Sequence, residues 1–147
     1  MKDENACFKE AVAVAQDLLS HKLESIRAIT RAEAEVRGAL ARSKGGIVEL
    51  KRFAPWKQYL IPSRAKFVVY PSQRGGYCAQ GVPQRFGTQA LRVPFPAEWA
   101  GAPEEELPAI SGIETLKFCH AGRFLITAGT RQDAFAACRM AMELAQE

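Results

Sequence analysis

The sequence contains few of the residues that build a metal centre. It has only three aspartates and two histidines, at Asp3, Asp17, Asp133, His21 and His120. Catalytic divalent ions are held by carboxylates and imidazoles that converge on one point, so we predict no metal site in this chain. The acidic triplet at 104–106 does not alter this, because consecutive helical residues point in different directions. No nucleophile motif, P-loop or dinucleotide fingerprint is present either, and we expect no catalytic residues.

Long apolar runs and a cysteine framework are also missing. No apolar stretch approaches the ~20 residues that span a bilayer, and the charged N-terminus lacks the apolar core of a signal peptide. The four cysteines, Cys7, Cys78, Cys119 and Cys138, form no CxxC pair, and we expect reduced thiols. The chain is therefore predicted to be intracellular, in the cytoplasm or in a eukaryotic mitochondrion or nucleus, with no membrane partner.

The positive charge is concentrated in one part of the chain. Residues 42–74 hold eight cations against a single anion, Glu49, although the net charge of all 147 residues is only +4. A local basic region attracts polyanions better than the same charge dispersed. Nucleic acid and a solvated basic face are the two interpretations that this pattern leaves open.

Hydrophobic periodicity predicts an α+β fold. Apolar residues at three- and four-residue steps predict helix over 7–42, as one long helix or as a helical hairpin broken near Ser20 or Thr30. Alternating and β-branched segments predict strands at 47–50, 66–70, 77–82, 116–120 and 123–127. Short helical turns are expected near Trp99 and after Pro103.

The last predicted helix follows Thr130 as its N-cap, with Asp133 in a weaker capping-box role. Its apolar stripe comprises Ala134, Phe135, Cys138, Met142 and Leu144. We expect this helix to pack on a mainly antiparallel sheet. The domain prediction is a helical segment at 1–43 followed by an α+β domain at 44–147.

A basic and aromatic motif follows the first strand. Lys51, Arg52 and Lys57 could neutralise phosphates, and Phe53 and Trp56 could stack on bases. The aromatic residues could instead anchor the loop in the core. The core is the favoured place for Phe53, whereas for Trp56 neither place is favoured.

A second candidate motif is the turn between the last two strands. His120 could donate to a phosphate oxygen, Arg123 could grip a phosphate in bidentate fashion, and Gly122 would let the backbone approach. A purely structural histidine is the alternative. A metal ligand is not expected here, because the neighbouring Cys119 and His120 point to opposite faces of a strand.

Together these segments resemble the C-terminal half of the Myg (melanocyte-proliferating-gene) family, which is similar to DHH-type phosphoesterases. The landmarks are Phe-Ala-Pro-Trp-Lys at 53–57, Val-Val-Tyr-Pro at 68–71, Gln-Gly-Val-Pro at 80–83, Pro-Ala-Glu-Trp-Ala-Gly at 96–101, Ile-Ser-Gly-Ile at 110–113, Phe-Cys-His-Ala-Gly-Arg-Phe at 118–124 and Thr-Arg at 130–131. Ala54 stands where the family usually has cysteine.

The resemblance implies a DHH-associated type of substrate-binding domain, without catalysis of its own, from a metal-dependent 3′–5′ exoribonuclease. Its Mn²⁺ or Mg²⁺ would lie on a catalytic half outside this chain, in the same protein or in a separate subunit. RNA or another phosphorylated substrate would contact His120, Arg123, Lys51, Arg52, Trp56, Lys57 and Arg131. The alternative is a protein-interaction module that docks a partner without binding nucleic acid. Self-association into a homo-oligomer is left open.

Overall fold

One mixed sheet of five strands forms the centre of residues 31–145, the part of the chain that the computed structural model describes. The strands are β1 (Ile47–Glu49), β2 (Phe67–Pro71), β3 (Tyr77–Gly81), β4 (Leu116–Cys119) and β5 (Leu125–Ala128). Their order across the sheet is β1-β2-β3-β5-β4. Only β1 and β2 pair in parallel, and the other neighbours are antiparallel. The predicted α+β class with a mainly antiparallel sheet is confirmed.

Four helical segments of the described range, residues 31–145, accompany the sheet. They are α1 over residues 31–42, α2 (Lys57–Leu60), α3 (Leu107–Ser111) and α4 (Arg131–Ala145), with a 3₁₀ turn at Ala97–Trp99. The predicted break near Ser20 or Thr30 lies outside the described residues. Within residues 31–145, no helix has the length and apolar character needed to cross a bilayer.

The helix expected after Pro103 begins later than predicted. The Pro103 carbonyl accepts hydrogen bonds from the N–H groups of Glu106 and Leu107. Residues 103–106 therefore form a separate turn, and α3 begins at Leu107 with a proline in its first turn. Gly112 ends α3 in the left-handed conformation that favours glycine, with φ of 75°.

One face of the sheet is buried beneath α4. Alternate strand residues such as Phe67, Val69 and Ile126 pack there against small residues of the helix, namely Ala134, Ala137, Cys138 and Ala141. The predicted packing of the C-terminal helix on the sheet is confirmed. Leu144 was wrongly included in its apolar stripe, since it is 50% exposed. The buried residues of α4 end at Ala141, so the last turn extends past the core.

Within residues 31–145, the opposite face of the sheet is covered over β1 and β2 only. There α1 contributes Val36 and Ala39, and the segment between β1 and β2 contributes Trp56 and Leu60. This segment is long because two parallel strands need a crossover connection. Farther across the same face, side chains of β3, β4 and β5 stay partly exposed: Cys78, Gln80, Phe118, Leu125 and Thr127. The candidate site lies along this partly open face.

Candidate substrate-binding cleft

His120 is held in one orientation by the turn between β4 and β5. The Gly122 N–H donates to His120 Nδ1 at 2.8 Å, and the Arg123 N–H donates to the His120 carbonyl at 2.8 Å. The ring centroid of His120 lies 4.4 Å from that of Phe124 and 6.2 Å from that of Phe118. Because Nδ1 accepts a hydrogen bond, the neutral imidazole carries its proton on Nε2. His120 can therefore donate from Nε2 to an oxygen of a ligand.

Position 122 lies close to two ring side chains of this turn. A Cβ on Gly122 would lie 3.2 Å from His120 Nδ1 and 3.1 Å from Phe124 Cδ1. Either neighbour would have to move to admit a methyl group. Gly122 therefore sets both the hydrogen bond to the imidazole and its contact with Phe124.

A cleft of about 460 Å³ brings His120 together with the segment that follows β1. His120, Gly122 and Phe124 line one side of it, and Trp56 and Lys57 line another. An adjoining groove of about 480 Å³ shares Trp56, Lys57 and Gln80 with the cleft and adds Phe53 and Phe86. The fold thus assembles three of the predicted site residues, His120, Trp56 and Lys57.

Gln80 contributes a polar group that sequence reasoning did not include. The Tyr70 hydroxyl donates to Gln80 Oε1 at 2.8 Å, so the amide nitrogen of Gln80 is left as a donor. Burial raises the pKa of Tyr70 to about 12, and the hydroxyl keeps its proton for this hydrogen bond at neutral pH. The alternation of side chains along β3 could have identified Gln80, because Cys78 and Gln80 lie on the face of the strand opposite to Ala79.

The two aromatic residues of the 51–57 motif have opposite environments. Trp56 is only 3% exposed and belongs to the core beneath α1, so mainly its edge is left to line the cleft. Phe53 is 55% exposed and meets Tyr70 edge to face, with ring centroids 5.2 Å apart. The favoured placement of Phe53 in the core was wrong. The larger apolar area of the indole gains more from burial, and Phe53 remains available for stacking.

Phe86 is a second exposed aromatic that sequence reasoning missed. It is 58% exposed and lines the groove beside Phe53. The local order Arg85-Phe86-Gly87, a cation next to an aromatic residue and a glycine, resembles the motif at 51–57 and could have identified it. The groove therefore presents two exposed phenyl rings next to Lys57.

Arg123 lies between two residues that line the cleft but is not itself part of the lining. Its Nε donates to the Phe95 carbonyl at 2.6 Å, and its carbonyl accepts from the Phe95 N–H at 3.0 Å. The residue adopts a left-handed conformation with φ of 63°. Arg123 ties the β4–β5 turn to the segment before the 3₁₀ helix through its Nε, and its bidentate phosphate contact stays a prediction.

The remaining predicted site residues lie near the β1 edge of the sheet. Arg131 Nε donates to both carboxylate oxygens of Glu49, at 2.9 and 2.8 Å, and its guanidinium lies 4.6 Å from the Phe135 ring centroid. Arg52 forms an exposed ion pair with Glu35, and its hydrogen bond lowers the pKa of that carboxyl. Exposed pairs of this kind contribute little stability. Lys51, Arg52 and Arg131 line grooves separate from the His120 cleft.

No metal-binding cluster occurs within residues 31–145. No three histidine, cysteine, aspartate or glutamate side chains in that range lie close enough to hold one ion. The described cysteines, Cys78, Cys119 and Cys138, are free thiols, and burial raises the pKa of each.

The structure defines an α+β domain whose partly open sheet face carries a cleft lined by hydrogen-bond donors. A family model named MYG1_exonuc, described as "Uncharacterised protein family (UPF0160)", matches residues 1–142, and the chain belongs to this family. The resemblance found in the sequence motifs is thereby confirmed.

Curated relatives extend well beyond the matched region. The human protein named MYG1 exonuclease is 33% identical over an alignment of 153 residues. This alignment covers 94% of this chain and 41% of the human protein. A MYG1 protein of Dictyostelium discoideum is 37% identical over 100 residues, covering 63% of this chain and 30% of its own length. The chain therefore spans less than half of the length of these relatives. No solved structure gives a significant match.

Proposed function

We propose that this chain is the substrate-binding portion of a phosphodiester-cleaving enzyme of the MYG1 exonuclease family. In this role His120 Nε2, the Lys57 ammonium and the Gln80 amide donate to a phosphate of a nucleic acid, with RNA as the expected substrate. The human relative is named an exonuclease, and this name supports phosphodiester cleavage as the class of reaction. Catalytic Mn²⁺ or Mg²⁺ would be held by the part of the longer protein that this chain does not span, or by a separate subunit.

One observation carries the proposal. The cleft and its adjoining groove gather the donors of His120, Lys57 and Gln80, and none of the described residues that line them is acidic. A phosphate diester needs donors and positive charge, and a nearby carboxylate would repel it. The orientation of His120 is fixed before a ligand arrives, so little ordering cost is added on binding.

Binding of a fluorescently labelled single-stranded oligoribonucleotide to the purified chain, followed by anisotropy over a range of salt concentrations, tests the proposal. We expect His120→Ala and Lys57→Ala each to weaken binding about tenfold, since a hydrogen bond to a charged group contributes about 1.5–3 kcal/mol. Lys57→Ala should also reduce the slope of log affinity against log salt by about 1.

Lys117→Ala is the matched control, because Lys117 is exposed on β4 and lines neither the cleft nor the groove. It should retain the affinity and nearly all of the salt slope of the unmodified chain. The proposal is wrong if the chain does not bind the oligonucleotide at low salt, or if His120→Ala and Lys57→Ala behave like Lys117→Ala. Circular dichroism of all variants checks that each remains folded.

A further inference from the structure

A second group of cations lies outside the His120 cleft. Two grooves of about 350 and 580 Å³ meet near the β1 edge and share Arg42, Glu49 and Lys51. Five cations line this pair of grooves, against two carboxylates: Arg42, Lys44, Lys51, Arg52 and Arg131, with Glu35 and Glu49. The lining therefore carries a net charge of +3. None of these charged side chains takes part in the proposed phosphate contact at His120.

Three of these cations have no carboxylate partner within the described part of the chain. Glu49 is paired with Arg131 and Glu35 with Arg52. Arg42, Lys44 and Lys51 are exposed and form no ion pair with residues 31–145. Unpaired cations that face one groove repel each other and favour an anion between them.

Two further grooves lie between the cationic grooves and the His120 cleft. The first of these is a small groove lined by Glu35, Arg52, Phe53 and Pro55, which shares Glu35 and Arg52 with a cationic groove. It shares Phe53 and Pro55 with the groove that contains Phe86, and that groove shares Lys57 with the His120 cleft. We call this series of adjoining grooves, from Arg131 to His120, the crossover groove.

The middle of the crossover groove carries exposed aromatic rings. Phe53 and Phe86 both line it, and each is more than half exposed. Five residues lie between Lys51 and Lys57, and an extended chain of this length spans at most about 20 Å. Exposed rings such as those of Phe53 and Phe86 stack on bases that are not paired in a duplex.

We infer that Arg42, Lys44 and Lys51 form a distal subsite for the phosphates of a single-stranded nucleic acid, several nucleotides from the phosphate bound at His120. The inference rests on the proposed function and extends it from one phosphate to a polymer. Phe53 and Phe86 stack on the intervening bases. The distal subsite raises affinity only for ligands that are long enough to reach both ends of the crossover groove.

The test compares a dinucleotide with a single-stranded oligoribonucleotide of about 12 nucleotides, a length within the range of known single-strand sites. For the unmodified chain we expect the longer ligand to bind more tightly. The double variant Arg42→Ala/Lys44→Ala should weaken binding of the longer ligand at least tenfold and reduce its salt slope by about 2. Its affinity for the dinucleotide should not change.

The matched control is Lys117→Ala/Arg139→Ala, which removes the same charge from exposed positions outside the crossover groove. The subsite is disproved if this control and the Arg42/Lys44 double variant reduce affinity for the longer ligand equally. It is also disproved if the double variant weakens both ligands alike. His120→Ala distinguishes failure of the distal subsite from failure of the proposed function. If His120→Ala binds the dinucleotide as tightly as the unmodified chain does, the proposed function is wrong.

An abasic oligonucleotide of equal length tests the stacking component. Phe53→Ala should weaken binding of the ordinary oligonucleotide several-fold, since each stacked base contributes measurably to affinity, and should leave the abasic ligand unaffected. Leu144→Ala, another exposed apolar position, is the control and should change neither affinity. Equal effects of Phe53→Ala on both ligands would show that Phe53 does not stack on bases.

Discussion

At the scale of single residues, Gly122 controls the donor of the proposed phosphate site. Its N–H fixes the tautomer of His120, and its missing side chain lets Phe124 approach the imidazole. Position 122 therefore influences the position and proton of a neighbouring side chain, although it need not touch a ligand itself.

Gly122→Ala should disturb this arrangement without unfolding the domain. The added methyl would force His120 or Phe124 to move by a few tenths of an ångström, which lengthens the hydrogen bond to Nδ1. We expect a smaller fraction of the Nε2–H tautomer in ¹H–¹⁵N spectra of the imidazole, together with weaker oligonucleotide binding. Ala121→Ser, an exposed neighbour in the same turn, should alter neither measurement. An unchanged imidazole spectrum in Gly122→Ala would contradict this role.

Residue identities alone predicted some of the site and misplaced other parts. The sequence indicated that His120, Trp56 and Lys57 belong to a site, and the structure brings them to one cleft. It wrongly favoured Phe53 over Trp56 for the core, because both rings are apolar and composition does not distinguish them. The choice depends on how α1 packs over that loop, where Trp56 joins Val36 and Ala39 in one core.

At the scale of elements, the start of α4 is fixed by two side chains with different partners. The Asp133 N–H donates to Thr130 Oγ1 at 3.1 Å, as the predicted N-cap requires. The capping-box role of Asp133 was wrong: its carboxylate accepts from the N–H and hydroxyl of Thr115, at 3.0 and 2.5 Å. Asp133 thereby joins α4 to the segment before β4, because its short side chain has a closer partner there.

Thr130→Ala should destabilise the domain by about 1 kcal/mol, the usual loss for an N-cap hydroxyl. Thr130→Ser keeps the oxygen and should retain most of the stability. The free energy of unfolding from urea titration, compared at equal slopes, measures both changes. If both variants lose the same amount, the hydroxyl is not the stabilising group.

Elements with local contacts were predicted better than their arrangement. All five strands lie where alternation and β-branched residues placed them, and the two antiparallel hairpins join strands that are adjacent in sequence. The parallel pairing of β1 with β2 and the insertion of β5 between β3 and β4 were not predicted. Both depend on contacts between distant segments, which hydrophobic periodicity does not encode.

At the scale of the whole molecule, buried ionisable groups on both sides of the sheet limit stability at alkaline pH. Burial raises the pKa of Cys119 from 9.0 to about 11 and raises that of Cys138 in the same core. Burial also raises the pKa of Tyr70, which packs against the core beneath α1. Each group resists ionisation in the folded chain more than in the unfolded chain.

The sign of the pH dependence follows from linkage. Above pH 9.0 the unfolded chain releases thiol protons that the folded chain retains. The contribution of the buried Cys119 thiol to the free energy of unfolding is therefore fully present below that pH and is lost as the pH rises towards about 11. The thermal midpoint should fall across this window, and Cys119→Ala should make the fall shallower. A midpoint that stays constant across the window, or an unchanged slope in Cys119→Ala, would contradict the prediction.

The parallel pairing of β1 and β2 has a consequence for how the family can vary. Two strands that run in the same direction force the chain to travel back along the sheet, and this return path carries Lys51, Phe53 and Lys57. Insertions or deletions in it would shift these three side chains, whereas Arg42 and Lys44 precede β1 and His120 follows β4, so the sheet itself sets the distance between the two ends of the proposed site. In the proposed function, the length of the return path would therefore determine which side chains meet the middle of a bound polymer, independently of the spacing of its two ends.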